Sequence, residues 1–535
     1  MSSAATSSTA TVICAEICQL FALHRSAGAS QLSQKVLHHE PNLHLRQLAQ
    51  ISDSASSLAR TFMSPAHKLA ALQIKDWMQQ AGLESWIDVI GNVHGVTPTS
   101  AAPGAAAIPA IFVGSHYDTV LDAGKFDGAL GVIVAIAAVK NLLVQALSLH
   151  HPDIKALIAE STGDDNMVQI GSYNTTDLLP MPVHIVGFTD EEGVRFGSTF
   201  LGSRALVGTL AASGALASTD ISGESLLGVM TRESGQETVD IDSIAVASHT
   251  IDHFIEVHIE QGPVLESRQT ALGVVSGIAG QTRLEVVVVG LQGHAGTVPM
   301  SDRHDAATAA AEIVLGVERL CQTVPTDHTV GFDVPRMRHH HHPAWCARWG
   351  PGLSGQAQAM SSRGKATFSI DVRSSSDAVR LRVVAALQQD ILAPICTRRG
   401  VECVMLNKHS APAMACDPSI TAGLRQAVLD SQGLVILSPS DTKTPTELVD
   451  IPVMVSGAGH DTMAMAEVAK VGMMFVRSVG GFSHSPLEHT SPDDVAAATA
   501  ALSQYLHGQV YRNTVKELTS LTQDLDALRE SHDEL

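Results

Sequence analysis

Five short segments concentrate imidazole and carboxylate groups: Gly114-Ser115-His116-Tyr117-Asp118, Gly124-Lys125-Phe126-Asp127-Gly128, Asp190-Glu191-Glu192-Gly193, His258-Ile259-Glu260-Gln261-Gly262 and Ser483-His484-Ser485. Any one of them alone is an ordinary surface or core feature. Together they lie at the ends of short apolar runs that read as buried strands, and the carboxyl ends of strands form the edge where open α/β sheets bind ligands. Imidazole and carboxylate suit zinc or manganese, and two ions held close together need a carboxylate that can bridge them. Asp118, two residues past His116, stands where it can orient that imidazole. Of the adjacent Glu191 and Glu192, one can bind metal while the other accepts a proton from water. The chemistry implied is attack by metal-activated water on a polarised carbonyl.

The elements that must position these groups alternate. Ser64-Pro65 starts a helix, Ser as N-cap and Pro at the first helical position, which stops near Gly82. Apolar runs at Ala107–Gly114 and Val183–Phe188 read as strands, with a helical pattern over Gly128–Leu147 between them and a polar insertion at His150–Leu179. A β-branched strand, Arg283–Gly290, precedes an Ala-rich helix from Asp305; a strand at Ala366–Val372 precedes a helix at Asp377–Leu392. Strands return at Pro452–Val455 and Gly472–Val476, and a helix begins near Pro492. This order predicts an α/β fold: a discontinuous catalytic domain carrying an inserted, smaller α+β domain. The expected boundaries are a variable segment at 1–30, catalytic parts at 31–276 and 406–510, the insertion at 277–405, and a helical tail at 511–535.

Composition narrows the partners. The chain has 535 residues, 45% apolar and 16% charged, enough for more than one core. A formal charge of -20 opposes a nucleic-acid groove, which needs clustered Lys and Arg. Apolar stretches are broken by charges or glycine, so no membrane span is expected. Seven cysteines are scattered without zinc-finger spacing and leave the redox compartment open. The final His532-Asp533-Glu534-Leu535 reads as an address for retention in the endoplasmic reticulum lumen, and Asn174-Thr175-Thr176 as a glycan acceptor. The stretch Ala10–Leu23, interrupted by Glu16, is a poor signal peptide, which keeps a cytoplasmic alternative open.

The motifs, in this order from about Arg60 to His507, resemble the metal-dependent aminoacylase and carboxypeptidase superfamily, in its branch of carbamoyl-amide hydrolases. That branch holds allantoate deiminases, ureidoglycolate amidohydrolases, β-ureidopropionases and N-carbamoyl-L-amino acid hydrolases. Arg60-Thr61-Phe62-Met63-Ser64-Pro65, Asp122-Ala123-Gly124-Lys125 and Phe200-Leu201-Gly202-Ser203-Arg204 are most similar to the plant-type allantoate deiminases. Ureidoglycolate amidohydrolases usually lack the forms seen at Asp190–Gly193 and Gly457-Ala458-Gly459-His460-Asp461.

The resemblance implies two divalent ions per subunit, Mn2+ before Zn2+, held by His116, Asp127, Glu192, His258 and His484, with Asp127 bridging. It implies Glu191 as general base and His294 as the oxyanion stabiliser reaching across a homodimer from the inserted domain; Asp118, orienting His116, completes the expected catalytic set. Gln261, Arg373 and His460 would hold a small anionic ureido substrate, Arg373 pairing with its carboxylate. The activity implied is hydrolysis of allantoate to ureidoglycine, ammonia and carbon dioxide. The alternatives are hydrolysis of N-carbamoyl amino acids, β-ureidopropionate or ureidoglycolate, and a metal-binding relative without turnover.

Other histidines take an ordinary reading: His67, His150 and His151 as surface residues, and the run His339 to His342 as no ligand set. Residues 337–363 depart from the resemblance. Family members carry Asn-x-Ile-Pro-Gly before the strand ending in the substrate-binding Arg, and here Met360 stands where that Asn belongs. Codons for Gln358-Ala359-Met360-Ser361-Ser362-Arg363 can be chosen so that another frame spells Ser-Asn-Val-Ile-Pro, which suggests a frame or splice error.

Overall fold

The computed structural model describes residues 34–100, 108–150, 167–294, 297–323, 331–333, 364–431 and 450–512. The stretch 337–363, the histidine run, His151, the N-terminal segment 1–30 and the C-terminal tetrapeptide lie outside the described residues. The chain divides into two compact units. The first takes its described residues from Met1–Ser276, Cys416–Met454 and His460–Leu535, and the second from Gly277–Ala415 and Val455–Gly459.

The first unit is built on a mixed sheet. Its strands are β1 (Glu84–Ile87), β2 (Val93–Val96), β3 (Ala110–His116), β4 (Val183–Phe188), β5 (Ile251–Ile259) and β6 (Leu272–Ile278), completed by a late strand, Val471–Val476. Along the sheet they run β1, β2, β4, β3, β5, Val471–Val476, β6. The central strands are parallel: Ile111 of β3 pairs with Val183 of β4, Val113 with Ile255 of β5, and Phe475 with His258. Every residue of β3 is buried, as a strand covered on both faces must be. Helix α1 (Pro65–Gln80) is capped by the Ser64 hydroxyl, which accepts from the His67 amide at 3.2 Å. Helix α2 (Ala129–His150) is predominantly apolar around its circumference. It is long enough to cross a membrane, but 94% of its apolar window is buried inside the molecule, which makes it a core helix. Lys140 on α2 is buried with it and ion-pairs with the buried Glu40 at 2.6 Å.

The second unit is a four-stranded antiparallel sheet. It comprises β7 (Gly280–Val289), β8 (Gly331–Asp333), β9 (Lys365–Ser374) and β10 (Glu402–Ala411), in the order β10-β7-β9-β8. Helix α3 (Ala306–Gln322) packs into its core, capped by Asp305, whose carboxylate accepts from the amides of Ala307 and Thr308. Strand β10 runs to Ala411 in register with β7, past the expected boundary at 405. The correction has a simple cause: polar residues on an edge strand, such as Asn407, Lys408 and His409, resemble a linker. A disulfide joins Cys396 to Cys403 within this unit, a pairing that the scattered cysteine spacing did not reveal.

His67 is corrected too. It is 1% exposed, stacks on Tyr117 at 4.5 Å between ring centroids, and lies 2.8 Å from the Thr189 hydroxyl. Burial lowers it to about 4, so it is a neutral core imidazole.

Close approach of α2 to the sheet depends on Gly131. A Cβ there would stand 2.0 Å from the Val257 carbonyl oxygen and 2.7 Å from Ser115 Cβ. Gly131→Ala is therefore expected to destabilise the protein by about 1–3 kcal/mol, read as a lower thermal midpoint; an unchanged midpoint would show that α2 is not seated this closely.

Candidate metal centre

The parallel strands deliver the ligands to one edge. His116 ends β3, Glu191 and Glu192 follow β4, His258 lies near the end of β5, and His484 follows Val471–Val476. Asp127 comes from the turn entering α2. The turns are tight enough that three non-glycine residues, Asp190, Gln261 and His484, take left-handed backbone conformations with φ of 51°, 58° and 53°. Such strain, of order 1–3 kcal/mol each, persists where surrounding structure fixes it and concentrates at functional sites.

Asp127 stands at the centre. Its Oδ1 is 3.1 Å from His258 Nε2 and 3.7 Å from His116 Nε2, while its Oδ2 is 3.2 Å from His484 Nε2. Glu192 Oε1 lies 3.2 Å from the same His484 nitrogen. Two donor sets thus share one carboxylate: His116, Asp127 and His258 on one side, and Asp127, Glu192 and His484 on the other. In each set the ligand atoms lie within 4.8 Å of one another, and the mixture of imidazole and carboxylate is the chemistry that zinc and manganese prefer. The residues fit divalent cations, and Asp127 belongs to both sets. His484, with its side chain 48% exposed, marks the solvent side; His116, Asp127 and His258 are buried.

The support around these groups is polar and buried. Asp118 accepts from the amides of Glu191 and Glu192 at 3.0 and 3.3 Å, and its Oδ1 is 3.4 Å from His116 Nδ1. His258 directs Nδ1 at the Ile259 carbonyl, 2.9 Å away, which leaves Nε2 to face Asp127. Gln261 donates from Nε2 to Asp127 and to the Ser483 hydroxyl. Sequence reasoning assigned no role to Ser483 or Glu488. Ser483 donates to Asp127 at 2.9 Å, and Glu488 Oε1 accepts from the amides of Phe126 and Asp127 at 2.8 and 3.0 Å.

Electrostatics follow from this crowding. Burial opposes charge on His116, yet the adjoining Asp118 and Asp127 carboxylates outweigh it and raise His116 well above its ordinary value. Hydrogen bonds to Asp127 and Glu192 raise His484 to about 10. Burial also acts against ionised Asp127, but the three imidazoles around it prevail and hold it well below the usual carboxylate range. Glu191 behaves oppositely. Burial, reinforced by Glu192, raises it well above the usual range despite His116 4.0 Å away. A carboxyl group raised in this way holds its proton more strongly than an ordinary carboxylate does.

The remaining site residues divide between the units. His460 is 1% exposed, and its ring lies 4.4 Å from that of His258. Arg373 and His294 belong to the second unit. There the Arg373 guanidinium is engaged by Asp371, through Nη2 at 2.9 Å and Nε at 3.3 Å, and by the Gly457 carbonyl at 2.7 Å. His294 is exposed.

Residues 172–508 match the model of peptidase family M20/M25/M40. The chain belongs to that family. It is 39% identical over 488 residues to an allantoate deiminase of Arabidopsis thaliana, covering 90% of this chain and 84% of that protein. It is 30% identical to an N-carbamoyl-L-amino-acid amidohydrolase of a Pseudomonas species, over 86% of this chain and 95% of that one. Among solved structures, an amidase of the hydantoinase/carbamoylase family from Burkholderia multivorans matches with a TM-score of 0.67 and 25% identity, covering 88% of this chain and 97% of that one.

Removing a donor should tell on the metal directly. His484→Ala is expected to lower bound divalent metal in elemental analysis after dialysis. Asp118→Asn should weaken metal affinity by about 10–100-fold, because it loosens His116 and the Glu191–Glu192 turn. Full metal content and unchanged affinity in both variants would refute the ligand assignment.

Proposed function

We propose that this protein hydrolyses allantoate to ureidoglycine, ammonia and carbon dioxide, a step of purine-derived ureide breakdown. The observation that carries the reading is the position of Asp127 in two donor sets, with Glu191 beside them in a third group that it forms with His116 and Glu192. The 39% likeness to an allantoate deiminase directs the substrate choice, ahead of the more distant N-carbamoyl amino acid enzymes.

His116, Asp127 and His258 would hold one divalent cation, and Asp127, Glu192 and His484 the other, with manganese the favoured metal. Bound there, the pair would supply Lewis acidity toward the ureido carbonyl and make water acidic enough to ionise near neutral pH. Glu191 takes the proton of the attacking water and returns it to the departing nitrogen. The C–N bond to ammonia breaks, and the carbamate left behind loses carbon dioxide to give the free amine. Asp118 keeps Glu191 in place through its backbone amide. Gln261 and His460 contact the substrate. Arg373 binds its carboxylate, for which the fork now held by Asp371 must be shared or released. His294 steadies the oxyanion, acting from the inserted domain of a homodimer.

Glu191→Gln is expected to lower the rate of ammonia release from allantoate by about 10²–10⁴-fold while both metals stay bound, because it removes a proton acceptor and no preferred ligand. Near-normal turnover would take Glu191 out of the base role. Wild-type protein that releases ammonia from N-carbamoyl amino acids but not from allantoate would replace the substrate.

We further propose a lumenal location in the endoplasmic reticulum. The Cys396–Cys403 disulfide suits an oxidising compartment, and Asn174 of the glycan acceptor triplet is exposed. A tagged protein keeping its own C-terminal tetrapeptide should colocalise with reticulum markers and yield the disulfide in non-reducing peptide mapping; a cytosolic distribution with both thiols free would refute this.

A further inference from the structure

The segment Phe200-Leu201-Gly202-Ser203-Arg204 contributes no ligand and no base, yet it is bonded into the site from beneath. The amides of Phe200, Leu201 and Gly202 donate to the carbonyls of Glu191, Asp190 and Thr189 at 3.1, 3.2 and 3.0 Å. Gly202 permits this docking, because a Cβ there would meet Asn92 Oδ1 at 2.2 Å and the Thr189 amide at 2.7 Å. The next residue, Ser203, is 0% exposed and donates to Asp461 Oδ1 at 2.6 Å.

Asp461 is itself fully buried and directly follows His460. Thr462 is pinned from another side: its amide and its hydroxyl both donate to Glu256 Oε2, at 2.9 and 2.6 Å. The other oxygen of Glu256 accepts from the Ser115 hydroxyl at 3.1 Å. Ser115 precedes His116, and Glu256 lies two residues before His258. The two residues after His460 are therefore tied to the strands and the turn that carry the metal ligands, by bonds that involve no ligand atom.

We propose that Ser203 and Thr462 are positioning residues of the reaction. Through Asp461 and the Thr462 backbone they set the depth and angle of the His460 imidazole over His258. The inference rests on the reading of His460 as a substrate contact. It makes the Phe200–Arg204 segment part of substrate recognition, although its own side chains need not touch the substrate.

Steady-state kinetics with allantoate on the full-length, metal-loaded protein test this, with metal content measured in parallel. His460→Asn should raise KM by about tenfold, the scale of one hydrogen bond to a charged group. Thr462→Val and Ser203→Ala should raise KM by a similar factor, with kcat within about twofold and metal content unchanged, each being the loss of one buried hydrogen bond that orients His460. Thr462→Ser keeps the hydroxyl and should return KM to the wild-type value. An unchanged KM in His460→Asn would refute the substrate-contact reading itself. A raised KM in His460→Asn with wild-type KM in Thr462→Val and Ser203→Ala would overturn only the positioning role. So would loss of metal in Thr462→Val, or failure of Thr462→Ser to restore KM. If Ser203→Ala does not fold, the Thr462 pair decides alone.

Discussion

The two oxygens of Asp127 face opposite ways, and the architecture of the site follows from what that requires. A carboxylate 3% exposed needs compensation on both sides, or burial would neutralise it. His116 and His258 provide it toward the core and His484 toward solvent. The turn must also be stiff, because a bridge displaced by a fraction of an ångström serves neither side. Glu488 receives the Phe126 and Asp127 amides, and Gly128 takes the left-handed conformation with φ 63° directly under the His116 ring. A Cβ at Gly128 would strike that ring at 2.4 Å. The glycine is thus required twice, for its backbone angle and for its missing side chain.

Around this bridge the protein sorts its carboxyl groups by what surrounds them. Asp127 is encircled by imidazoles and stays ionised. Glu191, with burial and Glu192 against it, is drawn toward the protonated form. Two groups of one chemical type thus stand in opposite electrostatic environments within one site, as a proposed division between metal binding and proton transfer requires. Asp118 couples them: one carboxylate addresses the His116 ring and the backbone that presents Glu191 and Glu192. A change at Asp118 therefore disturbs the His116 ring and the Glu191–Glu192 backbone together.

Much of this could be read in the sequence because the ligands sit at strand ends, where a polar group interrupts an apolar run. His116, His258 and the Glu191–Glu192 pair are all visible in that way, and β4 lies where its apolar run places it. What escaped is what depends on long-range contact. Glu488 and Asp127 are 361 residues apart, Ser203 and Asp461 258, and neither pair has a local pattern that announces a partner. His67 misled for a related reason. On a helix its neighbours in sequence suggest solvent, but Tyr117 and Thr189 arrive from just past the ends of β3 and β4 and bury it. The end of the second unit's sheet was obscured by the polar edge strand β10, whose identity rests on its register with β7.

The division into two units gives the chemistry an order of dependence. All five proposed ligands, the proposed base Glu191 and Asp118 lie within the first unit, as do Gln261 and His460. Arg373 and His294 lie in the second, where Arg373 already has Asp371 and the Gly457 carbonyl as partners. The groups proposed for metal binding and proton transfer therefore all belong to one compact unit. Within the second unit the Arg373 fork is held on its own strand by Asp371, two residues away. A change in the Asp127 turn, by contrast, disturbs at once the three imidazoles that face it and the Glu488 and Ser483 bonds that hold it.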